Sequence, residues 1–188
     1  MKQSEIIKQL TNDQLRQQLF LSQGIFIFIS LLSSFFLFNQ IKDWFSLFKW
    51  DISLILLYGL LPAVILVVIE VIVSCFIDPR HIDDGGINER IFKDASVGMI
   101  FLIAFIVAIA EEMLFRGVIQ TTFGYIFASS LFVIVHFRYL KKPLLLFSLV
   151  ITSFFIGYIY LITENLLVTI TFHFFVDFLL GLFIKFKK

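Results

Sequence analysis

The stretch that decides the fold is residues 95–120, ASVGMIFLIAFIVAIAEEMLFRGVIQ. It is long enough to cross the hydrocarbon core of a bilayer, which takes about 20 apolar residues in a helix. Its ionisable side chains are Glu111, Glu112 and Arg116. Because each such side chain costs about 2.5–3.5 kcal/mol to insert at the centre of a membrane helix, this group indicates a polar centre within a membrane protein.

The remainder of the chain has the same apolar character. Of its 188 residues, 60% are hydrophobic, 15% are charged and 26 are Phe. Soluble domains average about 25% charged residues, and a chain of this size has too little interior to bury so much apolar surface. The composition therefore excludes a disordered chain and an ordinary soluble domain. The one cysteine, Cys75, excludes a disulfide scaffold, and the net charge of +1 gives no reason to expect a nucleic-acid partner.

Apolar segments predict an all-α, polytopic membrane helix bundle with about six transmembrane helices. The predicted spans are residues 19–38, 52–77, 95–120, 123–138, 144–162 and 166–184. We expect two parts. Residues 1–94 would comprise an N-terminal amphipathic segment at 1–18, two transmembrane helices and a cytoplasmic loop at 78–94. Residues 95–188 would form a four-helix intramembrane core.

The basic residues predict the orientation of these spans. Six spans place both termini on one side of the membrane, and cytoplasmic segments carry an excess of Lys and Arg. With a cytoplasmic N-terminus, the outside segments hold two basic residues, Lys42 and Lys49, and the inside segments hold twelve: Lys2, Lys8, Arg16, Arg80, Arg90, Lys93, Arg138, Lys141, Lys142, Lys185, Lys187 and Lys188. This split favours a multi-pass protein with both termini in the cytoplasm.

Seven ionisable residues fall inside the predicted spans: Glu70, Glu111, Glu112, Arg116, His136, His173 and Asp177. Glu112 and Arg116 are four residues apart, with the Glu first, which is the favourable order for an ion pair within one helix. Such a pair has a purely structural interpretation. Glu111 lies about 100° round the helix from Glu112, so Arg116 cannot easily serve both. A second carboxylate of this kind suits a general base.

The last predicted spans add candidate partners for these carboxylates. His173 and Asp177 share one helical face at a spacing of four, and His136 shares a face with Phe132. For each, a structural hydrogen bond is the alternative to a catalytic role. For Glu70 we expect a structural or gating role, lining the cavity or pairing with Arg116 or a loop base. His81 falls among aspartates in the polar segment 78–94, which predicts a solvated loop.

Three motifs together resemble a known family. They are AEEMLFRG, which contains Glu111, Glu112 and Arg116; Phe132-x-x-x-His136; and His173-x-x-x-Asp177. In this order on neighbouring apolar helices they resemble the intramembrane endopeptidases of the CAAX-prenyl-protease and bacteriocin-processing family, also called the Abi family. The resemblance covers roughly residues 95–180.

The resemblance implies a glutamate-dependent peptidase. Glu111 would be the base, with His136 as its partner in activating a water. His173 and Asp177 would line the oxyanion site, while Arg116, Phe132 and Glu112 hold the architecture, and Glu112 could share the catalytic role. An ionised Asp cannot donate a hydrogen bond. Asp177 is therefore either protonated or orients His173, and we favour the second.

Other interpretations remain open from the sequence. Glu, two His and Asp could ligate zinc, although an HExxH motif is absent, so we expect no metal or other cofactor. A non-catalytic membrane immunity or scaffold protein is a second alternative, and an ion-coupled transporter a third. The partners expected are the lipid bilayer and a peptide or membrane-protein substrate. The Phe-, Ile- and Lys-rich composition is typical of a bacterial membrane protein, and prenylated substrates are not expected in bacteria.

Overall fold

A computed structural model describes residues 9–40, 42–78, 84–140 and 142–187. Within these ranges the secondary structure is helical, and no strand occurs. The helices in chain order are α1 (Asn12–Leu37), α2 (Lys42–Leu47), α3 (Ile52–Phe76), α4 (Ile87–Phe92), α5 (Val97–Phe123), α6 (Tyr125–Val135), α7 (Pro143–Thr163) and α8 (Leu166–Phe186). This confirms the prediction of an all-α membrane helix bundle.

The helix starts follow from capping residues in the sequence. Thr11 and Gln14 form a capping box at the start of α1. The side chains of Ser96 and Asn165 accept hydrogen bonds from backbone N–H groups in the first turns of α5 and α8, and Pro143 occupies the first turn of α7. Because the first N–H groups of a helix lack partners within it, these residues fix where each helix begins.

Five of the described helices, α1, α3, α5, α7 and α8, are long and apolar enough to cross a membrane. The fourth predicted span, 123–138, is corrected to the 11-residue helix α6. At about 1.5 Å per residue α6 covers roughly 16 Å, about half of the hydrocarbon core. Gly124, with φ of 88°, separates α6 from α5, and His136 leaves helical geometry at its other end.

The predicted N-terminal amphipathic segment also differs from the structure. Residues 1–8, with Ile6 and Ile7, lie outside the described residues, as does His81 in the predicted solvated loop. Residues 12–18 belong to α1, which continues without a break through the first predicted span. This part of the segment is therefore the first two turns of a membrane helix and not a separate surface helix.

The described loops and helix ends lie at two ends of the bundle. At the first end, the Arg16 side chain donates to the Ile91 carbonyl, and Arg138 lies 3.7 Å from Asp84. At the opposite end, Lys49 lies 3.6 Å from Glu164. In the described part of the chain, two basic residues lie at the opposite end, Lys42 and Lys49. Seven lie at the first end: Arg16, Arg90, Lys93, Arg138, Lys142, Lys185 and Lys187. The charge split predicted from the sequence is therefore present in three dimensions.

Helix α8 lies at the centre and packs closely against its neighbours. A core of Ala63, Val67, Ile156, Ile159, Val168, Phe172 and Val176 joins α3, α7 and α8. Gly59 allows this approach, because a Cβ there would lie 2.9 Å from the Val168 carbonyl oxygen. Gly181 allows a similar approach of α8 to α5, because a Cβ there would lie 2.7 Å from the Ile100 side chain. Large apolar side chains cover the outer faces of the long helices, including Phe28, Phe35, Ile65, Phe147 and Leu161. The protein is therefore an integral membrane protein.

Candidate active site

The two adjacent glutamates lie where α5 changes its helical geometry. Glu111 and Glu112 are the last residues before the α-helix changes to a π-helical stretch, Met113–Gln120, which contains Arg116. Glu111, Glu112 and Arg116 are all buried. π-Helical turns are rare and occur frequently at functional sites, because the wider turn changes which side chains face a given direction. The stretch predicted to hold a polar centre therefore does so at an irregular point of the helix.

Glu112 is held by two charged or chargeable groups. Its Oε1 atom lies 3.1 Å from Arg116 Nη1 and 2.9 Å from His173 Nδ1, and the carboxylate is 0% exposed. Arg116 also donates through Nη2 to the Ser153 carbonyl on α7, and its guanidinium lies 4.6 Å above the Phe132 ring on α6. The predicted ion pair within α5 is present, and it links α5 to α6, α7 and α8.

Glu111 has a different environment. Of the described residues, only Gln23 on α1 makes a hydrogen bond to its carboxylate, from Nε2 to Glu111 Oε1 at 3.4 Å. Its other oxygen, Oε2, faces two imidazoles: His136 Nε2 at 3.8 Å and His173 Nε2 at 4.0 Å. The side chain is only 7% exposed. A carboxylate with one neutral donor and two imidazoles just beyond contact distance has an oxygen available for chemistry.

His136 reaches Glu111 because α6 is short. It follows the last residue of α6, where its Nδ1 lies 2.8 Å from the Phe132 carbonyl oxygen. Since a carbonyl only accepts, Nδ1 carries the proton, and Nε2 of the neutral ring is then an acceptor facing Glu111. The Phe132 ring lies 4.5 Å from the His136 ring, so the predicted pairing of these residues on one helical face is present.

His173 and Asp177 lie on α8 beside the same carboxylates. The sequence favoured Asp177 as the group that orients His173, but the shorter contact is from His173 Nδ1 to Glu112, at 2.9 Å. Asp177 Oδ2 lies 3.6 Å from His173 Nε2, which is beyond hydrogen-bond distance. Asp177 is 32% exposed, the most exposed side chain in this group. Glu112 thus orients the imidazole, and Asp177 lies at the open side of the site.

Comparison with known proteins places this arrangement in a family. The model of the type II CAAX prenyl endopeptidase Rce1-like family matches residues 93–179. The chain is also 38% identical over 169 residues to a Bacillus subtilis (strain 168) protein named "Uncharacterized protein YpbD", covering 89% of this chain and 88% of that protein.

The chain belongs to the Rce1-like family. No solved structure matches it. The Rce1-like family is a family of membrane proteases. At the level of the family, this confirms the resemblance noted from the three motifs and the expectation of a membrane peptidase. The matched residues 93–179 include every member of the predicted site: Glu111, Glu112, Arg116, Phe132, His136, His173 and Asp177.

Glu70 lies outside the stretch matched by the Rce1-like family. Its Oε1 accepts a hydrogen bond from Ser148 Oγ on α7 at 2.6 Å. The sequence offered Arg116 or a loop base as its partner, and the structure gives Ser148 instead. The bond joins α3 to α7, which agrees with the structural role expected for this residue.

Gln23 is the contact that sequence reasoning missed. It lies on α1, also outside the stretch matched by the family, and it is buried at 5% exposure. Ionisable side chains mark a polar centre within an apolar span most clearly, and Gln23 is an uncharged amide within LFLSQGIFIF (19–28). Buried amides inside membrane helices need partners in the same way as charges do. The sequence therefore marks Gln23 as a neutral polar residue within an apolar span.

The arrangement also bears on the zinc alternative. Across the described ranges, no group of three or more His, Cys, Asp or Glu side chains has the spacing needed to hold a metal ion. The Nδ1 atom of His173 is engaged with Glu112, and that of His136 with a backbone carbonyl. Only the two Nε2 atoms therefore face Glu111. These two nitrogens and Glu111 Oε2 are the atoms that a water molecule or a cation placed here would meet.

Proposed function

We propose that this protein is an intramembrane endopeptidase that hydrolyses a peptide bond through a water molecule activated by Glu111. One observation carries the proposal: Glu111 Oε2 lies 3.8 Å and 4.0 Å from the Nε2 atoms of His136 and His173, while a neutral amide is its hydrogen-bond partner. A general base needs an oxygen that no hydrogen bond already holds. Glu111 Oε2 meets this condition, because both imidazoles lie beyond hydrogen-bond distance, and Glu112 Oε1 does not.

His136 and Glu111 together would activate the water. With its Nδ1 proton donated to the Phe132 carbonyl, His136 presents the Nε2 lone pair to a water placed near Glu111 Oε2. The carboxylate and the imidazole then each accept a hydrogen bond from one of the two O–H groups of this water. As the water oxygen attacks the carbonyl carbon of the substrate, one proton passes to Glu111. When the tetrahedral intermediate breaks down, that proton passes to the leaving amine and regenerates the carboxylate.

His173 is placed to stabilise the oxyanion. Its Nδ1 donates to Glu112, so donation from Nε2 as well requires the imidazolium form. Glu112 on one side and Asp177, 3.6 Å from Nε2, on the other balance that charge. A preorganised donor at the position where negative charge develops is worth about 2.7–4 kcal/mol in other acyl-transfer enzymes. Asp177 thus acts through His173 in this mechanism.

We further propose that the site operates in a bacterial cell membrane, with both termini in the cytoplasm. The basic residues of the described chain concentrate at the end where α1 begins, which is the pattern of cytoplasmic segments. The Bacillus subtilis relative supports a bacterial origin. A peptide or membrane-protein segment is the substrate class that fits, because the site lies between lipid-facing helices. We do not expect a prenylated substrate in such a membrane.

Comparing the peptides of cells that produce different variants tests the proposal. Cells producing wild-type protein, Glu111→Gln or Glu164→Gln are compared by peptidomics at matched protein levels. Glu164→Gln is the control, because it makes the same change in an exposed loop residue. We expect a set of cleavage products that disappears in Glu111→Gln and persists in Glu164→Gln.

Two outcomes would contradict the proposal. If Glu111→Gln cells retain every product, the non-catalytic membrane immunity or scaffold interpretation replaces it. If the purified wild-type protein loses cleavage of such a product on chelation and regains it with zinc, the glutamate mechanism is replaced by a zinc-dependent one. Activity that resists chelation and depends on Glu111 supports the glutamate mechanism.

A further inference from the structure

We propose that Gln23 on α1 is a positioning residue for the catalytic base. This inference rests on the proposed function, because it assigns Gln23 the task of holding Glu111. The two oxygens of Glu111 have separate surroundings: Oε1 accepts from Gln23 Nε2 at 3.4 Å, and Oε2 faces the two imidazoles. A donor on one oxygen fixes the rotation of the carboxylate plane. Gln23 therefore directs the other oxygen toward His136 and His173.

The cost of burying Gln23 supports this role. The residue is 5% exposed, and in the described part of the chain its Oε1 atom has no hydrogen-bond partner. A buried polar atom left unpaired costs about 1–3 kcal/mol. The reverse orientation of the amide would bring its oxygen against the Glu111 carboxylate, so Nε2 is the atom that faces Glu111. An apolar residue at this position would avoid the cost but would leave Glu111 without a donor.

Helix α1 is fixed well enough to hold the amide in place. Phe26, one turn after Gln23, packs edge-to-face on Phe115 of α5 with ring centroids 5.9 Å apart. At the start of the helix, Arg16 donates to the Ile91 carbonyl at 3.0 Å, and Leu15 is buried beside Ile91. The amide is thus carried on a helix that is anchored on both sides of the contact. Small displacements of a catalytic group cost large factors in rate, so such support matters.

With Gln23, the site extends beyond the residues that the family model matches. Residues 93–179 contain both glutamates and both histidines of the site, whereas Gln23 precedes the match and lies on the first described membrane helix. Helix α1 therefore contributes to the site and does not serve only as a membrane anchor. This predicts that a fragment lacking α1 would keep the base but lose its orientation.

Substitution of Gln23 tests the inference. Gln23→Met keeps the length of the side chain and removes the donor, whereas Gln23→Asn keeps the amide but shortens its reach by one methylene. Ser30→Ala on α1 is the control, because Ser30 is fully buried and its hydroxyl bonds none of the described residues. We expect both Gln23 variants to lower the yield of Glu111-dependent peptides at least tenfold, and Ser30→Ala to leave it within twofold.

Two further measurements distinguish positioning from a general loss of structure. The infrared carboxylate band assigned to Glu111 by the wild-type minus Glu111→Gln difference should shift in Gln23→Met and not in Ser30→Ala. The thermal midpoints should show coupling, with the shift of the Gln23→Met/Glu111→Gln double variant differing from the sum of the single shifts. Both are measured on the full-length protein in lipid nanodiscs.

The outcomes separate this inference from the proposed function. If Glu111→Gln is inactive and Gln23→Met yields wild-type peptide levels, Gln23 does not position the base and the inference fails. If Glu111→Gln remains active, the proposed function fails, while the infrared band and the midpoints still decide whether Gln23 holds Glu111. An unshifted band with additive midpoints would overturn the inference in either case.

Discussion

Glu111 and Glu112 are neighbours in the chain, but the structure treats them differently. Glu112 is 0% exposed and bonded to Arg116 and His173. Glu111 has a neutral amide on one oxygen and two more distant imidazoles on the other. The difference arises because adjacent residues point about 100° apart on a helix. Glu112 therefore meets Arg116, and Glu111 faces the two imidazoles.

This difference separates stability from reactivity. Breaking a buried ion pair costs more than the pair itself contributes, because the remaining charge is left without compensation. Changes around Glu112 should therefore act mainly on folding. Glu111 has no charged group within hydrogen-bond distance in the described chain, so changes around it should act mainly on catalysis. Substitutions in and around the two glutamates should therefore differ widely in the size and kind of their effects.

Arg116→Ala should give the largest effect on stability. It leaves Glu112 buried without its cation and removes the bond to the Ser153 carbonyl, so we expect the free energy of unfolding to fall by about 3–5 kcal/mol. Denaturant titration in detergent micelles measures this. The matched control is Lys93→Ala, whose pair with Glu89 is exposed and worth about 1 kcal/mol or less. Equal effects of the two changes would contradict the assigned role of Glu112.

His136→Ala should separate activity from stability. Loss of a group that assists proton transfer lowers the rate about 10²–10⁴-fold. The imidazole is 23% exposed, and among the described residues its hydrogen bond is to the Phe132 carbonyl. The free energy of unfolding should therefore change by less than about 1.5 kcal/mol. His173→Ala should lower both activity and stability, since it also removes a hydrogen-bond partner of Glu112. The yield of Glu111-dependent peptides and the unfolding titration test this, and a stable His173→Ala protein with full activity would refute it.

Gly117→Ala should disturb the part of α5 that carries Arg116. A Cβ at Gly117 would lie 3.0 Å from the Trp44 ring and 3.2 Å from Leu166, and such crowding costs about 1–3 kcal/mol. Gly24→Ala on α1 is the control, because nothing lies within 4 Å of a Cβ placed there. Thermal unfolding of the two variants measures the effect, and an equal loss in both would show that the close approach at Gly117 does not matter.

Glu70→Gln should give the smallest effect. The amide oxygen of the new Gln side chain can still accept a hydrogen bond from Ser148. We therefore expect the free energy of unfolding to change by less than about 1 kcal/mol, and the peptide yield to stay within a few-fold of wild type. The same titration and peptidomics measure both quantities. A loss of activity as large as that of Glu111→Gln would place Glu70 in the catalytic machinery.

The sequence predicted contacts within one helix better than contacts between helices. Spacing alone predicted the Glu112–Arg116 pair, because residues four apart meet on one helix face. It overestimated the fourth span, because apolar residues on both sides of His136 hide the end of α6. It also paired His173 with Asp177 by the same spacing rule, whereas the shorter contact crosses to Glu112 on another helix. Contacts between helices depend on packing that spacing within one helix does not contain.

The contribution of α1 was the hardest to predict. Gln23 and Glu111 are 88 residues apart in the chain, and the amide carries no charge to mark it. Its position within an apolar span is a weak signal, since Ser30 and Ser34 are buried on the same helix without contacting Glu111. Only the packing of α1 against α5 distinguishes one of these polar residues from the others.

The most direct test compares Glu111→Gln with Glu112→Gln in two assays on the same preparations. Glu111→Gln should abolish the Glu111-dependent peptides and change the free energy of unfolding by less than about 1 kcal/mol, because it breaks no hydrogen bond to a charged group. Glu112→Gln should lower the free energy of unfolding by about 3–5 kcal/mol, because Arg116 remains buried and charged. The reverse pattern, a destabilised Glu111→Gln protein and a stable Glu112→Gln protein, would contradict the division of roles between the two glutamates.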